Sequence, residues 1–352
     1  MARDDPNAPV TLNDVAREAR VSPATASRAL NGSSRKVADA YRDRVLAAAA
    51  RLRYTPNLSA QATARGSSRS VALIVADIAD PYFSSIAAGV IRGAEEAGLV
   101  VTMAITDRDS ARELELVRAM RGQRPRVLIL AGSRLTSDPR EPLLGAELSA
   151  FAQSGGRVAF VSPTALPFPS VPLENYAGAK ALALRLVELG YRRFSAITGP
   201  ARLRTASDRL SGYLAGLAEH DLTVPESLIS STSFTRDGGY QGARDLSQSE
   251  GFDDVDLVFA VNDVMAVGAM SALRELGLTP GLDIGVAGYD DIPTVRDVSP
   301  GLTTVHIPLE EVGQQALRLA LTPESSDLET DGPLSVTVVV RESTPPRTDL
   351  QR

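Results

Sequence analysis

Cysteine and tryptophan are absent from this chain of 352 residues, and histidine occurs only twice. Without cysteine the chain can form no disulfide, no thiolate nucleophile and no cysteine-ligated zinc site. The two histidines, His220 and His306, leave little material for a metal site or a histidine-based catalytic triad, so we expect both to be structural. The sequence therefore predicts no metal, no cofactor and no catalytic residues.

Long apolar runs and enzyme motifs are also missing. No stretch of about 18 apolar residues occurs, and the first ten residues, MARDDPNAPV, lack the apolar segment of a secretory signal. We therefore expect a cytoplasmic protein without membrane contact. No GxGxxG, GxxxxGKS/T or GxSxG motif is present, and Asp77 and Asp107 end predicted strands without an evident partner base.

The net charge of −6 conceals a basic N-terminal segment. Residues 8 to 66 carry ten Arg and Lys against four acidic residues, a net charge of +6, which leaves −11 for residues 67 to 352. This asymmetry is typical of a basic module that binds a polyanion, attached to an acidic body that does not.

Three short helices are predicted in the basic segment. Thr11 is a good N-cap for the first, and Ser22 can cap a second that begins at Pro23 and ends near Leu30. A third is predicted over residues 39 to 52, with its inward residues being Val45, Leu46, Ala49 and Leu52. Three helices with a tight turn between the first two form a helix-turn-helix, whose second helix enters the major groove of DNA.

The polar face of the second helix carries Thr25, Ser27 and Arg28, which suit phosphates and the edge of a guanine. The string VTLNDVAREARVSPATASRALNG, followed by YTPNLSAQATARG, resembles the N-terminal module of the lactose and purine repressor family of bacterial transcription regulators. The resemblance runs from Val10 to about Val340. The DNA-contacting residues that it implies are Thr11, Ser22, Pro23, Ala24, Thr25, Ser27, Arg28, Asn31, Tyr54, Asn57, Ala60 and Thr63.

In the family, the pair of residues that opens the recognition helix selects the operator, and here that pair is Pro23 and Ala24. Neither side chain donates a hydrogen bond, so discrimination should depend on Thr25, Arg28 and contacts to thymine methyl groups.

Residues 57 to 66, NLSAQATARG, are compatible with a helix but too short to hold one alone. We expect them to be disordered away from DNA. The resemblance implies that two such hinges fold in the minor groove, where a Leu from each opens the central base step. Thr63 occupies that position here, and because it is shorter and polar we expect weaker kinking or an easily deformed step. A plain flexible linker is the alternative.

From Ser70 onward the chain alternates apolar runs with amphipathic stretches. The strand-like runs are 70–77, 99–105, 127–132, 157–162, 194–199, 257–263, 284–290 and 336–340, and the helical patterns include 83–97, 176–189, 209–219 and 264–276. Such a pattern predicts parallel sheets covered on both faces. The predicted fold class is α/β: an N-terminal three-helix helix-turn-helix head, then two doubly wound parallel-sheet lobes. The resemblance implies lobes of the periplasmic-binding-protein type.

The expected domains are a disordered tail at 1–9, the helix-turn-helix DNA-binding domain at 10–57, a hinge at 58–68, an effector-binding and dimerisation domain at 69–345, and a tail at 346–352. The N-lobe should comprise about 69–166 and 301–329, and the C-lobe about 167–300 and 330–345. The resemblance implies crossovers between the lobes near 166–172, 298–302 and 329–334.

Ligands of doubly wound sheets lie beyond the carboxyl ends of the strands. The residues near such ends that map onto the effector cleft of the family are Phe83, Arg209, Phe234, Asn262 and Asp290. A carboxylate, an amide and a guanidinium beside an aromatic ring suit a polyol. The purine-binding relative uses an Arg where this chain has Leu203, so a sugar or sugar derivative is the expected effector.

Structural roles remain open for several of these residues. Asp290 could cap its loop, Phe83 could belong to the core, and Asp263 could cap the helix that begins at Val264. Tyr82 is expected at a helix start or a subunit contact.

These features predict a DNA-binding transcription regulator, of the repressor type, that binds a near-palindromic double-stranded operator as a homodimer under the control of a small effector. A cytoplasmic sugar-binding protein without DNA-directed activity is the first alternative, and an enzyme on the same fold is the second. The tail after Val340 has no heptad pattern, so no coiled coil is expected.

Overall fold

The structure is a computed structural model that describes residues 10–31, 37–55, 68–322 and 334–347. The chain divides into two compact units, Met1–Ser68 and Arg69–Arg352. The N-terminal tail, most of the hinge and most of the C-terminal tail lie outside the described residues, and so do Asn57, Ala60, Thr63 and the side chain of Asn31.

The first unit contains the three predicted helices, α1 (Leu12–Glu18), α2 (Pro23–Asn31) and α3 (Asp39–Leu52). Their shared core consists of Val15, Ala16, Ala19, Ala26, Ala29, Val45, Ala48 and Ala49. The expectation that Leu46 lies in this core is wrong, because its side chain is 46% exposed. The buried face of α3 runs through Val45, Ala48 and Ala49, which follow the three- and four-residue spacing of one helical face.

Local hydrogen bonds explain where α1 and α2 begin. The backbone N of Asp14 donates to Thr11 Oγ1 at 3.4 Å, and the backbone N of Thr11 donates to Asp14 Oδ2 at 3.0 Å, which forms a capping box. The backbone N of Thr25 donates to Ser22 Oγ at 3.1 Å. Between the helices Arg20 has a φ of +52°, which turns the chain tightly.

The second unit contains two parallel sheets. The first sheet has the order β2-β1-β3-β4-β5, with β1 (Ser70–Val75), β2 (Val100–Ile105), β3 (Val127–Ala131), β4 (Arg157–Val161) and β5 (Ser170–Val171). The second has the order β7-β6-β8-β9, with β6 (Phe194–Thr198), β7 (Ile229–Ser231), β8 (Leu257–Ala260) and β9 (Gly285–Ala287). An antiparallel pair is formed by β10 (Thr304–His306) and β11 (Thr337–Val339).

The described part of this unit has eight α-helices: α4 (Pro81–Glu96), α5 (Ser110–Gly122), α6 (Glu141–Gln153), α7 (Asn175–Glu188), α8 (Arg204–Ala218), α9 (Arg236–Ser247), α10 (Asp263–Glu275) and α11 (Leu309–Leu321). Helices α4 and α11 pack together on one side of the first sheet, and α5 and α6 pack on the other. Both faces of β1 are therefore buried, with Leu73 in one core and Ile74 in the other, as its continuous apolar sequence predicted.

We call the first sheet with α4, α5, α6 and α11 the first lobe, and the second sheet with α7 to α10 the second lobe. Strand β5 pairs with β4, so the first sheet continues to Val171, beyond the expected boundary near residue 166. Strand β10 begins beside the second lobe, where single bridges join Thr303 to Ala287 and His306 to Asp290. Among the described residues, no helix combines the length and apolar character needed to span a membrane.

Candidate functional site

The N-terminal end of α2 is an exposed surface of the first unit. Its buried face consists of Ala26 and Ala29. The residues predicted to contact DNA lie elsewhere on the helix, with Ser22, Pro23, Ala24 and Arg28 exposed and Thr25 and Ser27 half-buried. This arrangement leaves the start of the helix accessible to a groove of DNA. Tyr54, another predicted contact, is half-buried and packs against the three-helix core.

The second unit brings all five predicted effector residues to one pocket, whose lining includes Phe83, Arg209, Phe234, Asn262 and Asp290. Phe83 belongs to the first lobe, while the other four belong to the second lobe. All five are buried. The pocket has an empty volume of about 330 Å³, including the part open to solvent. We call it the effector pocket; the binding role of its residues stays a prediction.

Arg209 ties several segments of the second lobe together. The sequence pattern predicted that its helix begins at Arg209. The helix, α8, begins earlier, at Arg204, so Arg209 lies within it. Its Nε donates to Asn175 Oδ1 at 2.9 Å, its Nη1 to the carbonyl of Val261 at 2.8 Å and its Nη2 to Asp290 Oδ1 at 2.7 Å. The guanidinium also lies over the ring of Tyr289, 4.0 Å from its centroid. Each terminal nitrogen carries two hydrogens and donates one of them in these hydrogen bonds.

Asp290 forms an ion pair across the pocket wall and does not act as a loop cap, since its side chain bonds to Arg209. Its φ of +121° is a strained conformation for a residue with a side chain, as is common at binding sites. Burial raises the pKa of Asp290 above its usual range, Arg209 opposes this effect and Asp80 adds to it. Burial opposes the charge of Arg209, yet Asp290 holds the pKa of Arg209 above its ordinary value.

Asn262 is the N-cap of α10, and the expectation that Asp263 caps this helix is wrong. The backbone N of Met265 donates to Asn262 Oδ1 at 2.9 Å. The other end of the amide, Nδ2, is buried and has no hydrogen-bond partner among the described residues. A buried donor without an acceptor costs about 1 to 3 kcal/mol, so a ligand oxygen at this position would be stabilised.

Asp263 instead holds the end of the second sheet together. Its Oδ1 accepts from Thr304 Oγ1 at 2.6 Å and its Oδ2 accepts from the backbone N of Ile292 at 2.9 Å. Burial, and then the nearby carboxylate of Asp290, raise the pKa of Asp263 to about 8, although the two hydrogen bonds oppose this shift.

Arg108 is a pocket residue that sequence reasoning missed. Its guanidinium lies 5.6 Å from the ring centroid of Phe83 and 5.4 Å from that of Phe234, so it contacts an aromatic ring of each lobe. Its Nη2 lies 3.4 Å from Asp80 Oδ2 and 3.7 Å from Asp77 Oδ2. The backbone φ of Arg108 is +61°, a strained value that aims the side chain from a tight turn.

The complete set of pocket residues that the sequence did not single out for binding is Asp80, Tyr82, Arg108, Ser133, Ser162 and Thr205. Arg108, Ser133 and Ser162 follow β2, β3 and β4, so the strand-end rule would have found them had it been applied to every strand. Tyr82, expected at a helix start, lies in α4 and in the pocket wall, where burial raises its pKa. Among the described residues, no cluster of three or more potential metal ligands occurs.

The two lobes are hydrogen-bonded directly to each other next to Ser133 and Thr205, which line the effector pocket. The backbone N of Thr136 donates to the carbonyl of Arg202 at 2.8 Å, and the backbone N of Arg204 donates to the carbonyl of Arg134 at 3.0 Å. A ligand in the pocket would therefore contact two lobes that these backbone hydrogen bonds already join.

Known proteins resemble both units. Residues 11–57 match the family described as bacterial regulatory proteins, lacI family, and residues 183–344 match the periplasmic binding protein-like domain. The HTH-type transcriptional regulator CelR of Thermobifida fusca is 33% identical over 315 residues, covering 88% of this chain and 90% of that protein.

Solved structures agree over nearly the whole length. The lac repressor dimer bound to operator and the anti-inducer ONPF has a TM-score of 0.81 at 28% identity, covering 96% of this chain and 100% of that one. The transcriptional regulator CelR in complex with cellobiose has a TM-score of 0.66 at 30% identity, covering 95% of this chain and 99% of that one. These relatives are transcription regulators and not enzymes. The chain belongs to the lacI family of bacterial regulatory proteins.

Proposed function

We propose that this protein is a transcription regulator, of the repressor type, that binds a near-palindromic operator as a homodimer in the cytoplasm. A sugar or sugar derivative bound between the two lobes controls its affinity for the operator. The proposal depends on one observation above all: Asn262, whose Nδ2 has no hydrogen-bond partner among the described residues, lines a pocket shared by both lobes.

The chemistry of the pocket supports a sugar. Asn262 and Arg209 offer hydrogen-bond donors and Asp290 offers an acceptor, while a hydroxyl group can satisfy both kinds. The ring of Phe234 provides an apolar face for the C–H side of a sugar ring. The relative CelR is seen with cellobiose, which supports the same class of ligand for this chain.

The head supplies the DNA-binding part of the proposal. The basic charge of residues 8 to 66 favours phosphates. The side chain of Arg28, in the last turn of α2, is exposed and is of the type that pairs with a guanine edge. Exposed apolar side chains on α4 and β2, namely Ile91, Val100 and Met103, offer a surface for a second copy. A two-fold dimer then reads two half-sites of the operator.

Control of DNA binding needs only a modest difference in free energy. A sugar that binds one arrangement of the lobes better than another shifts the population towards it. A coupling of about 1 to 3 kcal/mol changes operator affinity by about 5- to 150-fold.

Selection of genomic DNA fragments by the purified full-length protein, repeated with each member of a sugar panel, tests the whole proposal. We expect a palindrome whose retention changes with one sugar. Sugar binding that leaves DNA retention unchanged contradicts the allosteric part. A folded protein with no preference for any double-stranded sequence at low salt contradicts the function itself.

The variant Asn262→Ser tests the pocket, because serine can still cap α10 but lacks the amide donor. We expect sugar affinity to fall by about tenfold, as for the loss of one good hydrogen bond, with operator binding in the absence of sugar unchanged. Calorimetric titration gives the first value and fluorescence anisotropy the second. An unchanged sugar affinity excludes Asn262 from ligand binding.

The variant Arg28→Ala tests the recognition helix. Specific binding should weaken by about 1 to 3 kcal/mol, as for the loss of a bidentate contact to guanine. Arg42→Ala, at an exposed position on α3, removes the same charge and serves as the control. Equal losses on operator and on random DNA would show that Arg28 contacts only phosphate.

A further inference from the structure

A larger cavity adjoins the effector pocket at the carboxyl ends of β1, β2 and β3. Its empty volume is about 530 Å³, including the part open to solvent, and its lining includes Ala76, Thr106 and Gly132, which directly follow these strands. Arg108 and Ser133 line both this cavity and the effector pocket. The two spaces are therefore neighbours with a shared wall.

Two guanidinium groups in the lining have an unused donor. The side chain of Arg134 is only 10% exposed, and its Nη1 donates to both carboxylate oxygens of Glu113, at 2.7 and 2.9 Å. Its Nε is buried and has no hydrogen-bond partner in the described part of the chain, and the same holds for the Nε of Arg108. Because a buried N–H without an acceptor is costly, a ligand oxygen that reached either nitrogen would be stabilised.

The charges around the cavity favour a neutral ligand. Arg108 and Arg134 are accompanied by the carboxylates of Asp109, Glu113 and Asp138. A phosphate or carboxylate ligand would meet these acidic groups, whereas hydroxyl groups can accept from the guanidinium nitrogens and donate to the carboxylates. The cavity thus has the same chemical preference as the effector pocket.

We propose that this cavity, the distal subsite, binds the second ring of a neutral disaccharide whose first ring lies on Phe234 in the effector pocket. The inference rests on the proposed function, since it specifies the ligand of the same site. Arg108 stands on the shared wall and contacts a ligand that spans both spaces. Leu203 of the second lobe also lines the distal subsite, so the second ring is held by both lobes.

Calorimetric titration of the purified full-length protein with paired probes tests the subsite. The pairs are glucose with cellobiose and with maltose, and galactose with lactose. We expect at least one disaccharide to bind about tenfold or more tightly than its monosaccharide, which corresponds to one or two additional hydrogen bonds. Disaccharides that bind no more tightly than their monosaccharides overturn the proposal.

Two variants locate the extra affinity. Ser110→Phe, at the first position of α5, fills the distal subsite, and Arg134→Lys keeps the charge beside Glu113 but removes the Nε donor. Each should reduce the preference for the disaccharide by about tenfold. Ser211→Phe, exposed on α8, is the control for an added phenyl ring.

The outcomes separate this inference from the proposed function. A loss confined to the disaccharide in both variants supports the distal subsite. Equal losses for both sugars, or no loss in either variant, overturn it while leaving the sugar-controlled regulator intact. If no sugar of either size binds, the proposed effector class and the distal subsite both fail.

Discussion

Replacement of Asp290 by alanine should destabilise the second unit by about 3 to 5 kcal/mol, because it leaves a buried guanidinium without its counter-charge. The side chains of Arg209 and Asp290 are 1% and 6% exposed, and Nη2 and Oδ1 are 2.7 Å apart. The other hydrogen-bond acceptors of Arg209, Asn175 Oδ1 and the carbonyl of Val261, are neutral and cannot replace the carboxylate.

Thermal unfolding of the full-length protein, followed by calorimetry, measures this loss. The unit Arg69–Arg352 should unfold with an entropy of about 0.6 kcal/mol per kelvin, from the usual value per residue, so its Tm should fall by about 5 to 8 °C. Sugar binding should be lost together with stability, because the ion pair also shapes the effector pocket.

The double variant Arg209→Met with Asp290→Ala distinguishes charge from packing. It removes both charges, so it should be less destabilised than the sum of the two single variants. It should not recover fully, since Asn175 and the carbonyl of Val261 lose their donor. A fall in Tm of less than about 2 °C for Asp290→Ala, or simple additivity in the double variant, would refute the role assigned to the pair.

Three further changes test local features. Thr11→Ala removes the capping box of α1 and should destabilise the head by about 1 kcal/mol in a circular dichroism melt, whereas an unchanged melt would make the cap dispensable. Gly89→Ala should destabilise the first lobe, because its Cβ would lie 1.9 Å from the carbonyl oxygen of Glu310. Gly122→Ala should be neutral or stabilising by up to about 1 kcal/mol, because its Cβ would meet no atom within 4 Å outside its chain neighbours and the nearby helix backbone. Equal melting temperatures of the two variants would contradict this packing. Asp263→Asn should gain stability relative to the natural chain as pH rises from about 4 to about 8. The reason is that the folded natural chain keeps a proton on Asp263 that the unfolded chain loses. A difference in unfolding free energy between the two proteins that stays constant over this pH range would refute the reasoning.

The strand-end rule shows how far sequence reasoning reached into the site. Asn262 and Asp290 follow apolar runs, and in a parallel sheet such positions meet at one edge, so their convergence was predictable. The roles of neighbouring residues were less so. Asn262 and Asp263 are both good helix caps, and only the tertiary contacts of Asp263 with Thr304 and Ile292 decide which one caps α10.

Local sequence patterns also could not predict the shortest strands or which side of α3 is buried. Strands β5, β7 and β10 have two or three residues each, too few to show a periodicity, and they exist because longer neighbours offer them hydrogen bonds. Val45 and Leu46 are adjacent apolar residues of α3. Packing against α1 and α2 decides that Val45 is the buried one.

The sequence by itself determined the parts that depend on neighbouring residues: the N-caps of α1 and α2, the long parallel strands, and the residue types at the strand ends. Only the tertiary structure decided that Arg108 contacts Phe83 of one lobe and Phe234 of the other, and that a second cavity shares its wall. Helix caps and strand patterns arise from interactions within a few residues, whereas a contact such as that of Arg108 with Phe234, far apart in the chain, depends on how the two lobes pack.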